Sequence, residues 1–411
     1  MNFTPLMLTE RDEELLSIST RPDAMGVLAV WTVRGRDLIP HLTSQTTNIR
    51  GFQILVEAFR LWELYEQKHP QHAGLIDDFF LLIEQAFART VGWHDKDQGW
   101  QLPGSRRVWA RSTEEPHISL SDLGWHLLGG QKANGLWGLY RGAARRAGLL
   151  AEDMTRLSDE TMKQATLQAG IGSDVSSRLF NLVEQAMEGH TVPLPNHMNN
   201  KLTASIFNTF QNVPLAEHLH DRLIDGHDLN RRLAERLADI KELEHRTFLT
   251  KAARDLPDHQ ATIKNVIRCE NLLAVVEAVF LWLCARKGKK LDEAVVDLPV
   301  DLTSLAKAHT EFAHSGMYPE GMANARHELF CKMLDTSSNF ALARSILLLH
   351  EEVSKERQRA PWVWEDQGIL LSEVEVDSPD DIALQVGLAW RNDYYLTPLQ
   401  SIAKQFAEVR Q

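Results

Sequence analysis

Residues 48–68 read N-I-R-G-F-Q-I-L-V-E-A-F-R-L-W-E-L-Y-E-Q-K, and their spacing sets the fold class. Phe52, Leu55, Val56, Phe59, Trp62 and Tyr65 fall at steps of three and four, which puts them on one face of an α-helix. H-P at 69–70 ends the run. Leu75 to Phe87 repeats the pattern with Ile76, Phe79, Phe80, Ile83 and Phe87. A short H-P-Q-H-A-G link between two such runs predicts an antiparallel helical hairpin.

The same period extends in both directions. A short capped helix is expected near Thr9 and Asp12, and a second segment runs from Pro22 to Arg34. Further helices are expected over 158–169, 174–187, 229–246, 262–286, 304–314, 321–334 and 339–357, and closing ones over 380–390 and 395–409. Period-two alternation appears at P-W-V-W-E-D-Q-G-I-L-L-S-E-V-E-V-D (361–377), which reads as a C-terminal β-hairpin turning at Asp366, Gln367 and Gly368. The expected fold is mostly α, a multi-unit helical bundle architecture with that one small hairpin. Breaks in composition, the clearest at G-H-T-V-P-L-P-N-H-M-N-N (189–200), suggest segments 1–98, 99–150, 151–256, 257–357 and 358–411.

The chain has 411 residues, 44% hydrophobic and 24% charged, with a net charge of −12. That composition builds a sizeable core and excludes a disordered or fibrous protein. It also argues against coating nucleic acid or membrane with the whole surface, which demands dense Lys and Arg. The most apolar run, 271–286, is shorter than the roughly 20 residues that a bilayer needs, and Glu277 interrupts it, so it is expected in the core and no membrane partner is expected. The first residues lack the charged and apolar regions of a signal peptide, so a cytoplasmic location is expected. Cys269, Cys284 and Cys331 form no C-x-x-C pair and sit in apolar helical contexts, as packing residues do.

One region departs from this acidic background. Residues 100–146 hold seven cations (Arg106, Arg107, Arg111, Lys132, Arg141, Arg145, Arg146) against three acids, Glu114, Glu115 and Asp122. Trp109, Trp137 and Tyr140 punctuate them. A winged-helix or helix-turn-helix element is expected across 119–150, with its first helix and turn at 119–130 and a recognition helix from Leu136. Arg141 and Arg145 would share one face of that helix, where guanidinium groups reach phosphates and base edges. The leading expectation is a non-enzymatic subunit of a multiprotein assembly, in a bacterial defence or DNA-processing setting. Arg106, Arg107, Trp109, Arg111, Lys132, Trp137, Tyr140, Arg141, Arg145 and Arg146 would touch double-stranded DNA or a partner that handles nucleic acid.

Two other readings stand beside it. H-L-H-D at 218–221 and G-H-D at 226–228 supply the residue types of a helical metal-dependent phosphohydrolase of the HD kind, through His218, His220, Asp221, His227 and Asp228. His218 and His220 are two apart, however, and diverge on a helix. The third reading is a purely protein-binding scaffold. Neither nucleotide fingerprint occurs, and G-x-S-x-G is missing too, so no catalytic residue, metal or cofactor is expected.

Overall fold

The computed structural model describes residues 23–96, 99–195, 200–374 and 376–409. The helix expected near Thr9 and Asp12 lies outside them. The described residues are mostly helical, with two two-stranded antiparallel sheets. They form two compact units, residues 35–245 with 393–409 and residues 23–34 with 246–392.

The first unit is built on the hairpin expected from the sequence, helices Ile49–Lys68 and Ile76–His94. Asn48 starts the first of them, its Oδ1 accepting from Arg50 N at 3.0 Å. Every residue from Gly51 to Trp62 and from Phe79 to Gly92 is buried. The hairpin is therefore enclosed on all sides rather than laid along one face of a core, and its polar residues are enclosed with it. Burying such groups costs a few kcal/mol each unless they are hydrogen-bonded.

Gln53, Glu57, Arg60 and Gln85 bond the backbone of neighbouring segments. Gln53 Oε1 accepts from Leu215 N at 3.0 Å. Glu57 Oε1 accepts from Ile171 N at 3.0 Å, and its partner Arg60 donates to Ile171 O at 2.6 Å. Gln85 accepts from Ser119 N at 2.8 Å and donates to Ser119 O at 2.9 Å. The polar positions of the hairpin thus fix where the surrounding loops lie.

Helices Leu136–Arg146, Ser173–Met187 and Lys201–Asn212 pack around this pair. The break at 189–200 contains a short strand, Val192–Pro193, paired with His117–Ile118. The closing helix Leu396–Val409 lies against Asp228–Leu237, and Gln400 donates to Ile240 O at 2.7 Å.

Three local expectations are corrected. Residues 119–130 form no first helix of a helix-turn-helix: Ser119 is held extended by Gln85, and Asp122 caps a single 3-10 turn, Leu123–Trp125. The turn ends at His126, which is extended with ψ 143°, and Gly130, at φ +65°, opens a separate short helix, Gln131–Asn134. The helix expected over 229–246 is two, Asp228–Leu237 and His245–Asp255. No helix forms over 380–390, where Asp380 caps a turn and Gly387 takes φ +88°.

In the second unit, the apolar helix Gln260–Cys284 is buried along its length. Glu277 pairs with Arg391 at 2.7 Å, which accounts for the charge inside an apolar run. No described helix is long and apolar enough to cross a membrane. The C-terminal hairpin joins Val363–Asp366 to Ile369–Ser372 through Gln367 and Gly368, both at positive φ, the geometry of a tight two-residue turn. Cys269 and Cys284 are buried and form no disulfide, and burial raises the Cys284 thiol to about 12, so it stays protonated at neutral pH.

Candidate interaction surface and cleft

The basic island is carried by the buried hairpin. Arg89, 3% exposed, donates to Arg107 O at 2.9 Å and Trp125 O at 3.1 Å, tying two loops of the island to helix Ile76–His94. Burial, with Arg111 nearby, lowers this guanidinium to about 10, so it remains charged at neutral pH. Trp100 anchors the loop's start, fully buried and stacked on Phe210 at 5.6 Å. Glu84 receives the start of helix Leu136–Arg146, its Oε1 accepting from Leu136 N at 2.9 Å.

The ten residues expected to form one surface separate into three groups. Trp137 and Tyr140 leave the surface altogether. Trp137 is 5% exposed and packs on Phe59 at 5.8 Å and Phe80 at 5.2 Å; Tyr140 is fully buried edge-on to Phe52 at 4.9 Å. Neither ring is available to stack on a base. The two aromatic rings belong to the packing face of the helix, with Leu136, Ala143 and Ala144, and fill the space above the hairpin.

The second group is Arg141, Arg145, Arg146 and Lys132. Arg141 lies 4.3 Å over the Trp137 ring, and Arg145 pairs with Glu152 at 3.0 Å. Lys132 pairs with Asp77. Arg146 turns inward and donates through Nε to Pro40 O at 2.8 Å.

The third group remains a surface. Helix Ser105–Ala110 presents Arg106 and Trp109 to solvent, with Trp109 48% exposed. Arg111 lies 4.4 Å over Trp125 and pairs with Glu114 at 3.3 Å. Beside them is a cleft of about 520 Å³ lined by Arg107, Arg111, Leu123, His126 and Leu128, among others. Leu123 is 71% exposed. Among the described residues of this unit the exposed large apolar side chains are Leu75, Trp109, Leu123 and Leu167; Leu123 lines the cleft, and Trp109 stands beside Gly99 on the helix that flanks it.

The histidine and acid motifs are brought together only in part. His218 is buried and bonds Thr161 Oγ1 at 3.0 Å, His227 caps helix Asp228–Leu237, and Asp228 pairs with Arg231 and Arg232. The five-residue set of the phosphohydrolase reading is therefore dispersed. His220, Asp221 and Asp225 do have ligand atoms within 4.8 Å of one another, on and beside a π-helical turn, Asp221–Asp225. Both carboxylates are exposed, and His220 Nδ1 is 3.0 Å from Asp225.

His218 and Asp221 line a different cleft, of about 660 Å³, together with Arg146, Arg222 and Gln168. Sequence reasoning singled out the motifs on either side of Arg222 and the arginine at the end of the island, but nothing local signals that they meet. Arg222 and Gln168 were missed for that reason. Comparison with protein-family models, with curated proteins and with solved structures gives no significant match.

Proposed function

We propose that the chain is a non-catalytic binding subunit that docks a partner protein on the patch formed by Arg106, Arg107, Trp109, Arg111 and Leu123. The observation that carries this reading is an indole and a leucine left exposed beside a cleft, on loops that a buried arginine holds in place. Trp and Arg dominate the binding energy of protein interfaces, and rigid presentation lowers the entropy lost on docking. Glu114, Glu115 and Asp122 lie on the same loops and are exposed, a mixture of signs that suits a protein surface better than a phosphate backbone. The complementary segment carries an apolar side chain for the cleft and carboxylates for Arg106 and Arg107.

A direct contact with double-stranded DNA is the second reading. Three arginines within six residues, with Arg106 exposed, support it, and a defence or DNA-processing assembly is the setting proposed with it. One experiment separates the two. Tagged wild type and a Trp109→Ala/Leu123→Asp variant are purified from the native source, with and without nuclease. A stoichiometric protein that survives nuclease and is lost from the variant supports docking. A partner that both proteins retain overturns it, and release by nuclease transfers the contact to nucleic acid.

A further inference from the structure

The cleft that gathers Arg146, Arg222 and His218 sorts its charges by depth. Its acids, Glu160, Glu217 and Asp221, are exposed, whereas Arg146 and Arg222 are half-buried and His218 is 8% exposed. The two guanidinium groups therefore sit deeper than the carboxylates, beside a His218 whose pKa burial lowers below the usual value. Arg146 adds to that bias: its nearest charged neighbours include Arg36 and Arg145, of like sign. Its Nη2 is closed off from solvent and meets no hydrogen-bond partner among the described residues. Arg222 stands on the π-helical turn, and its Nη1 lies 3.5 Å from the position a Cβ on Gly148 would take. π-Turns are rare and recur at functional sites.

A second orphan lies in the same cleft. Gln168 Oε1 is buried without a hydrogen-bond partner, and this atom accepts rather than donates. An unpaired buried donor or acceptor costs about 1–3 kcal/mol, so both atoms call for a complementary group. The cleft, at about 660 Å³, has the size of a small-molecule site.

We infer that this cleft binds a phosphorylated small molecule carrying hydroxyl groups, of sugar-phosphate or nucleotide size. Its phosphate sits between Arg146 and Arg222, where planar guanidinium groups match phosphate oxygens. Gln168 turns its carboxamide into the cleft to accept from a hydroxyl, and the rim carboxylates of Glu160 and Glu217 accept from others. This site is separate from the docking patch, and neither reading depends on the other.

Calorimetric titration of the full chain tests it, with glucose 6-phosphate, adenosine 5′-monophosphate, their unphosphorylated parents and orthophosphate as probes. At least one ester is expected to bind, and its parent not. Arg222→Gln should weaken that binding roughly tenfold or more, the loss of one charge-assisted contact, while Lys132→Gln outside the cleft leaves it unchanged. Gln168→Leu should weaken the ester and spare orthophosphate. Failure of both esters to bind more tightly than ~1 mM overturns the inference, as does equal ester binding by Arg222→Gln or orthophosphate binding as tightly as the esters. Retained folding of Arg222→Gln, read from its circular dichroism, keeps a loss of binding interpretable; if that variant unfolds, the Gln168→Leu contrast decides.

Discussion

Trp109 and Trp137 belong to the same basic stretch, and the protein uses them in opposite ways. Trp137 is packed between Phe59 and Phe80, so Trp137→Ala should cost about 3–5 kcal/mol in urea unfolding, the range for an aromatic removed from a core. Trp109→Ala should cost less than about 1 kcal/mol, because half the ring already faces water. Equal losses would contradict the assignment of one ring to the core and the other to the surface. Glu84 offers a second test at this scale. It is fully buried, and burial raises its carboxyl from 4.5 to about 7 against the opposing hydrogen bonds from Leu136 and Gln131. Between those two values the folded state keeps a proton that the unfolded chain has lost. Stability therefore falls as pH rises through this window, by roughly 2–4 kcal/mol in all. Glu84→Gln should flatten that part of the curve relative to wild type, and an unchanged slope would show that another group is responsible.

Helix Leu136–Arg146 shows what glycine spacing conveys and what it conceals. Gly135, Gly138 and Gly142 weaken the helix on propensity alone and point to close approach by other atoms. The approach is real at two of them. A Cβ on Gly135 would meet Gln131 O at 2.6 Å and Glu84 Oε2 at 2.8 Å, and one on Gly138 would collide with the Ala133 backbone. At Gly142 the nearest atom is Arg146 Nη1, at 3.6 Å, an ordinary contact distance. Gly142→Ala should therefore stabilise the protein by up to about 1 kcal/mol, while Gly138→Ala destabilises it by roughly 1–3 kcal/mol. Thermal unfolding of the two variants reads both signs, and a shared sign would refute the packing described for this helix. The period of the hairpin helices was legible because a three-to-four spacing survives whatever packs outside it. The failed helix at 119–130 was harder to see. Its apolar residues have helical spacing, but the clamp from Gln85 to Ser119 comes from a residue 34 positions away.

For the whole molecule, composition and period were enough for a mostly helical chain ending in a β-hairpin. They do not say which segments share a core. Residues 393–409 belong with 35–245 across an intervening unit, and the break that opens at Gly189 falls inside that unit rather than at its limit. The island was legible as a charge anomaly because it is local. Its division into a core face, a set of locally occupied cations and a true surface depends on Phe59, Phe80 and Pro40, all distant in the chain, and on Glu152, seven residues beyond Arg145. What survives as surface is the patch around Trp109, and the claim that it docks a partner protein is the centre of this account. A photo-crosslinking residue placed at Trp109, and at Leu167 as an exposed apolar control, tests it in the native source with mass spectrometry of the adducts. A single protein joined at position 109 and absent at 167 is the predicted result; the same adducts at both positions, or none at 109, would contradict it.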